Sequence, residues 1–384
     1  MKRRKAIQQL GALPFAGSLW GQPSISASSS GLTPVPGNGS GETNIFRSIG
    51  VEPLINCRGT FTIIGGSLER PEVRAAMEAA AHDFVQYDEL SEAINRRLAE
   101  ITRAEWAMVS SGCAAGLKHV TAACVTGGNP EKLIRIPNLA GFEKTEVIIP
   151  SSSRNVYDHS LRNIGVRILQ VDSAEEFQNA LSKRTAMIYL MADDPAQPGL
   201  PLSLENIARM AAPWKIPVLV DAAAEMLTIP NIHLKRGATV VAYSGGKAIC
   251  GPQCAGLLLG DKKILQSAWQ ASSPHHGPGR DNKVGREEMM GMLAAVEAWT
   301  LRDHKKEWDT WMSWLETIAK KVARLEGVTT SIFEPTDLSN HSPVLRVRWD
   351  PLRYHITGEE VAEEFGRNKP RSEEHTSELQ SLAY

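Results

Sequence analysis

Two residues could do chemistry together: a carboxylate and an amine, each at the end of an apolar run. Pro217-Val218-Leu219-Val220-Asp221 reads as a buried strand ending in an aspartate. Ala238 to Ala242 reads as a second strand, followed by Tyr243-Ser244-Gly245-Gly246-Lys247-Ala248-Ile249-Cys250-Gly251-Pro252. A lysine there is out of place unless it is exposed, paired or chemically used, because burying an unpartnered ammonium is costly. A strand-end aspartate followed by a strand-end lysine in a Gly-Ser loop is the pattern of a pyridoxal 5'-phosphate (PLP) site. Lys247 would form a Schiff base and Asp221 would keep the pyridine nitrogen protonated. Singly, Asp221 reads as a cap and Lys247 as a solvated turn. The phosphate-loop alternative fails because Ala248 follows the lysine where Ser or Thr is required.

A third element supplies the phosphate end. Ala104 to Val109 reads as a strand, Ser110-Ser111-Gly112-Cys113-Ala114-Ala115-Gly116 as a small-residue turn, and the stretch to Val125 as a helix closed by Gly127-Gly128. Free backbone N–H groups at a helix start bind phosphate, and small side chains let the anion approach. Ser110, Ser111, Gly112, Cys113, Ala114, Asp221, Ser244 and Lys247 are therefore the candidate cofactor residues, with Lys247 and Asp221 catalytic.

With Ile55-Asn56-Cys57-Arg58-Gly59-Thr60, Val220-Asp221-Ala222-Ala223-Ala224-Glu225 and Gly245-Gly246-Lys247-x-x-x-Gly251-Pro252-Gln253 added, the chain resembles the SelA-like branch of fold-type I PLP-dependent enzymes, from about Ile45 to Lys369. That branch holds L-seryl-tRNA selenium transferases and D-glucosaminate-6-phosphate ammonia-lyases. The resemblance implies a large PLP-binding domain, a small C-terminal domain, and a homodimer or larger homo-oligomer with sites near subunit interfaces. It also implies that the loop containing Lys283 approaches the cofactor phosphate or the substrate.

The elements that must hold these residues alternate. Strands are expected at 146–149, 166–171, 186–191, 218–220, 239–242 and 255–259, with helices at 72–81, 174–182, 204–212 and 287–301. Short apolar strands of this kind belong to a mostly parallel sheet covered by helices, an α/β fold. Strands at 328–333 and 344–349 start a smaller α+β C-terminal domain. Trp308, Trp311 and Trp314 drift around one helical face and read as core or subunit packing. The expected division is a large domain over 45–300 and a truncated small domain over 301–370. Residues 371–384 resemble a translated sequencing-adapter oligonucleotide and are set aside.

Lys2-Arg3-Arg4-Lys5 and the short apolar stretch to Trp20 resemble a twin-arginine export signal over 1–30, with a linker over 31–44; a disordered basic tail in a cytoplasmic protein is the alternative. The stretch is too short and too interrupted to span a bilayer, so no stable membrane insertion is expected.

The chain carries 42 basic and 43 acidic residues. Such a balance offers no field for a polyanion and argues against nucleic acid as a partner. Five cysteines cannot all pair, and Cys250 and Cys254 lack a second pair for zinc, so no metal is expected. Arg58, Asp194, His276, Arg280 and Lys283 are candidate substrate residues, the cations because arginine in a Gly-rich loop suits carboxylate or phosphate. The expected activity is a lyase that eliminates the β-hydroxyl of an amino acid or amino sugar acid, giving a keto acid and ammonia. An aminotransferase and a non-catalytic exported binding protein are the alternatives.

Overall fold

The structure, a computed structural model of the chain, describes residues 44–192 and 198–374. The expected export signal, all but the last residue of the linker, Asp194, and residues 375–384 of the set-aside tail lie outside them.

The described chain forms two compact units. In the smaller, β1 (Leu54–Cys57) comes first. In the larger lie β2 (Trp106–Ser110), β3 (Glu146–Pro150), β4 (Arg167–Val171), β5 (Thr185–Met191), β6 (Val218–Asp221), β7 (Val240–Ser244) and β8 (Gly256–Gly260). These seven make one sheet in the order β2-β8-β7-β6-β5-β3-β4. Only β8 runs against the rest, pairing antiparallel with both β2 and β7. The mostly parallel α/β sheet expected from the sequence is therefore what forms. β2, β3, β6 and β8 are buried along their whole length, as their mainly apolar composition favours, with Glu146 and Asp221 the charged exceptions. The partly exposed β4 closes one edge.

Helices begin where side chains can cap them. Ser173 accepts from the Glu176 N–H, Ser203 from Asn206, and Asp261 from Ile264, each satisfying an N–H that the first turn leaves over. Two of the longer helices carried no sequence expectation, Tyr87–Thr102 and Lys262–Ala271. The first buries Ile94, Leu98, Ala99 and Thr102 at helical spacing, the second Leu265, Ala268 and Trp269. Because six strands run one way, their carboxyl ends, Ser110, Pro150, Met191, Asp221 and Ser244 among them, share one rim of the sheet. Ligands bind at such a rim in open α/β sheets.

The smaller unit comprises, among described residues, 44–59, 305–334 and 342–374. The large unit thus starts at Thr60, not at 45, and residues 335–341 return to it. The hairpin of β9 (Val328–Phe333) and β10 (Val344–Trp349) lies in the smaller unit, whose core gathers Val322, Val328, Tyr354 and Ile356. β11 (Arg371–Glu374), the first four residues of the set-aside tail, pairs in parallel with β1. Trp311 and Trp314 are exposed, so neither is a core residue of this chain.

Candidate active site

The phosphate-cup sequence folds as a strand, a turn and a helix. Gly112, at φ +80°, turns the chain from β2 into the helix Cys113–Thr126. That left-handed value is one that glycine adopts without a side-chain clash. Ser110 turns its hydroxyl back to donate to the Gly112 carbonyl at 2.8 Å, so it shapes the turn. The N–H groups of Cys113, Ala114 and Ala115 have no carbonyl behind them within the helix. Opposite lies Gly256, the first residue of β8. A methyl group there would sit 2.6 Å from the Gly112 carbonyl carbon and 2.7 Å from the Cys113 nitrogen. The backbone of β8 is thus pressed against the cup, and only hydrogen fits between.

Asp221 ends β6 and is 3 % exposed. Its Oδ1 accepts from the Ala223 N–H at 3.1 Å and from the Cys113 thiol at 3.6 Å. Its Oδ2 accepts from the Tyr189 hydroxyl at 2.8 Å. Burial raises its pKa above the ordinary carboxylate range. The Tyr189 hydroxyl, the Ala223 N–H, the Lys247 charge and the Cys113 thiol all favour the charged form but do not offset burial. Burial, and then the neighbouring Asp221, push the Cys113 thiol and the Tyr189 phenol upward, so both keep their protons.

Lys247 sits on a loop with little freedom. The Gly245 N–H donates to the Ala255 carbonyl at 2.8 Å, and Gly251 donates back to Gly245 at 2.8 Å. Cys250, at φ +57°, donates to the Lys247 carbonyl at 3.0 Å. A methyl on Gly245 would meet the Pro252 oxygen at 2.7 Å, and one on Gly246 the Gln253 Cα at 2.6 Å. Ser67 N–H donates to the Gly246 carbonyl at 2.8 Å from a neighbouring segment. Lys247 itself is half-buried. Its charge is felt by both Asp221 and Cys113, yet among the described residues it forms no direct ion pair with Asp221.

The structure therefore gathers Asp221, Lys247 and Cys113, with Gly112 and Ala114 flanking Cys113 at the helix start. Ser244 closes β7 three residues before the lysine and is half-buried. The proposed substrate cations are placed otherwise. His276, Arg280 and Lys283 are exposed on the 272–285 loop. Lys118, from the helix that starts at the cup, holds that loop by an ion pair with Asp281 at 2.9 Å and a bond to Asn282 at 3.0 Å. His275 pairs with Asp88 at 3.2 Å and lies edge-on to Trp269. Arg58 belongs to the smaller unit, where its guanidinium meets Glu373 at 2.7 Å.

Sequence reasoning missed Tyr189, and it offered Asn155 only as the end of the 151–155 loop, a candidate region for stacking on the cofactor ring. A tyrosine inside the apolar run Ala186–Met191 was the available signal, since a buried phenol needs a partner for its hydroxyl. Asn155, in the loop after β3, donates to that hydroxyl at 3.0 Å.

No protein-family model matches the chain. It is 28 % identical over 300 residues to a D-glucosaminate-6-phosphate ammonia lyase of Salmonella typhimurium, covering 75 % of this chain and 78 % of that protein. It is 27 % identical over 298 residues to a 5'-C-glycyluridine monooxygenase-decarboxylase of a Streptomyces species, covering 74 % and 71 %. A solved structure of D-glucosaminate-6-phosphate ammonia-lyase superposes with a TM-score of 0.76 at 26 % identity, covering 86 % of this chain and 89 % of that one. The chain is thus an enzyme with the fold-type I architecture of PLP-dependent enzymes. The resemblance to the SelA-like branch, first carried by short motifs, extends over most of the molecule.

Proposed function

We propose that the chain is a PLP-dependent lyase that deaminates a β-hydroxy amino acid or amino sugar acid to a keto acid and ammonia. One observation carries the reading: a buried carboxylate with an acceptor position to spare, a lysine whose charge reaches it, and a helix start walled by glycine belong to one rim of one sheet. The residues fit the cofactor. Cys113, Ala114 and Ala115 would hold its phosphate with backbone N–H groups, Asp221 its ring nitrogen, and Lys247 its aldehyde carbon. When bound, PLP supplies an electron sink for the charge left at a substrate α-carbon.

The chain's own groups do the rest. Asp221, buried and held by three donors, keeps a proton on the ring nitrogen. The Lys247 amine, when free, would take the α-proton. The β-hydroxyl then leaves as water, and a second water releases the nitrogen as ammonia, so the net change is substrate to keto acid plus ammonia. The exposed cations of the 272–285 loop are the chain's candidates for the substrate's acidic groups, and a homo-oligomer is the expected assembly.

The test is direct. Purified protein should take up PLP with a visible absorbance band and release ammonia from members of a β-hydroxy amino acid panel without any keto-acid acceptor. Lys247→Ala should lose the covalent band and at least about 10³-fold in kcat, a loss the size of general-base removal or more. Full turnover by that variant removes Lys247 from the mechanism; turnover that demands an acceptor identifies an aminotransferase. A second reading has one observation behind it, the Streptomyces relative. Consumption of oxygen with release of carbon dioxide would identify that chemistry in place of deamination. Export by way of residues 1–30 is a separate proposal, tested by cell fractionation of an Arg3→Lys, Arg4→Lys variant.

A further inference from the structure

The carboxylate of Asp221 is fed by a hydrogen-bond chain that can run in only one direction. Its first member is Asn155. The side-chain oxygen of Asn155 accepts from the Tyr157 N–H at 2.8 Å. Its amide nitrogen donates to the Ser153 carbonyl at 3.1 Å and to the Tyr189 hydroxyl at 3.0 Å. The opposite amide orientation would set donor against donor at Tyr157 and acceptor against acceptor at Ser153, so the network assigns it. Asn155 can therefore only give a hydrogen bond to Tyr189, and the tyrosine must point its single proton elsewhere. Two acceptors are in reach, the Met191 sulfur at 3.2 Å and Asp221 Oδ2 at 2.8 Å. A carboxylate is far the better acceptor than a thioether, so the proton goes to Asp221.

This fixes which part of Asp221 is left. A carboxylate offers about four acceptor positions. Two on Oδ1 are taken by Ala223 and Cys113, and one on Oδ2 by Tyr189. Among the described residues the fourth, on Oδ2, has no donor.

We propose that Tyr189 is a positioning residue for Asp221: the chain from Tyr157 through Asn155 and Tyr189 orients the carboxylate so that the remaining lone pair of Oδ2 is presented to the ring N–H of the cofactor. The inference rests on the PLP reading above. The groups facing Asp221 are the Cys113 thiol from the helix, the Tyr189 hydroxyl from β5, and the Lys247 charge from the loop after β7. Among the described residues, only Tyr189 of these is itself directed by another side chain. The Tyr189 bond favours ionised Asp221, so its loss raises the carboxylate's pKa and moves the acid limb of activity to higher pH.

The experiment compares wild type, Tyr189→Phe and Asn155→Asp, each stripped of cofactor and titrated with PLP by absorbance, then assayed for kcat and KM across pH. Asn155→Asp is near-isosteric but reverses the chain, because a carboxylate at 155 claims the tyrosine proton. Both variants should bind PLP about tenfold more weakly, the size of one hydrogen bond to a charged group. Both should show the acid limb of kcat displaced upward, with KM unchanged. PLP affinity and an acid limb equal to wild type in Asn155→Asp overturn the proposal even if Tyr189→Phe fails to fold. A wild-type chain that takes up no PLP overturns the cofactor reading and this inference with it. Normal uptake by wild type with unaltered variants overturns this inference alone.

Discussion

Asp221 carries a cost that the fold does not remove. Its carboxyl lies in a buried site that raises its pKa, so between the unfolded value and the folded one the native chain holds a proton that the unfolded chain has released. By linkage, that contribution to stability is present at low pH and is lost as pH rises through the folded pKa. Asparagine at 221 would avoid the titration and keep the contacts. Its oxygen could accept from Ala223, its amide could donate to the Tyr189 oxygen, and the tyrosine proton could turn to the Met191 sulfur. Asp221→Asn should therefore raise the melting temperature of the cofactor-free protein at pH 7–8 by about 2–4 °C, the effect of roughly 1 kcal/mol in a domain this size, while abolishing turnover. A lower melting temperature would show that the charge is better solvated than its burial implies. At this scale the sequence was informative about charged residues and silent about neutral ones. Asp221 and Lys247 announce themselves because ionisable groups in apolar runs need a reason. Cys113 was assigned to the cup by its backbone, and nothing in its spacing says that its thiol meets a carboxylate 108 positions away. That Asn155 meets Tyr189 could be found only once β3 and β5 were known to be neighbours.

The cup and the lysine loop meet at the start of β8, where Gly256 pairs with Ser110 of β2 and with Ser244 of β7. β8 leaves the lysine loop and at once presses Gly256 on the cup, so a side chain at 256 has nowhere to go but into backbone. Gly256→Ala should cost about 1–3 kcal/mol and weaken PLP uptake more than Gly366→Ala, made in open space on a solvent-facing helix. Equal PLP affinity in the two variants would mean the cup yields freely. Most strands were legible because burial on both faces leaves an unbroken apolar run. Their ends shifted by a residue or two. β7 continues through Ser244, since ladder pairing rather than hydropathy ends a strand. The antiparallel sense of β8 was not legible. Gly256 to Gly260 is as apolar and as buried as the parallel strands of the sheet, and direction comes from the return of the chain through the lysine loop.

At the scale of the molecule, the boundary between units differs from a cut along the sequence. Residues 335–341 leave the smaller unit's hairpin and join the larger one. There the Asn340 N–H donates to the Ala224 carbonyl at 2.9 Å, and the Met226 N–H donates to Leu338 at 2.9 Å. No periodicity marks such an excursion, because its bonds are backbone to backbone. The tail from Arg371 behaves oppositely: its four described residues extend β1 in the smaller unit only. A chain ended at Pro370 should lose that short ladder and the Arg58–Glu373 pair, yet keep PLP uptake within about twofold, since both lie within the smaller unit and a partly exposed ion pair contributes little. Loss of uptake would tie the tail to the catalytic unit.

The position of β8 also bears on when the cup is completed during synthesis. During translation the phosphate turn emerges early, but the strand that walls it is among the last of the sheet to leave the ribosome, long after β3 to β6 have appeared. Vitamin B6 cannot be captured by the nascent amino-terminal half, so a ribosome stalled anywhere before Gly256 should release a fragment indifferent to the cofactor.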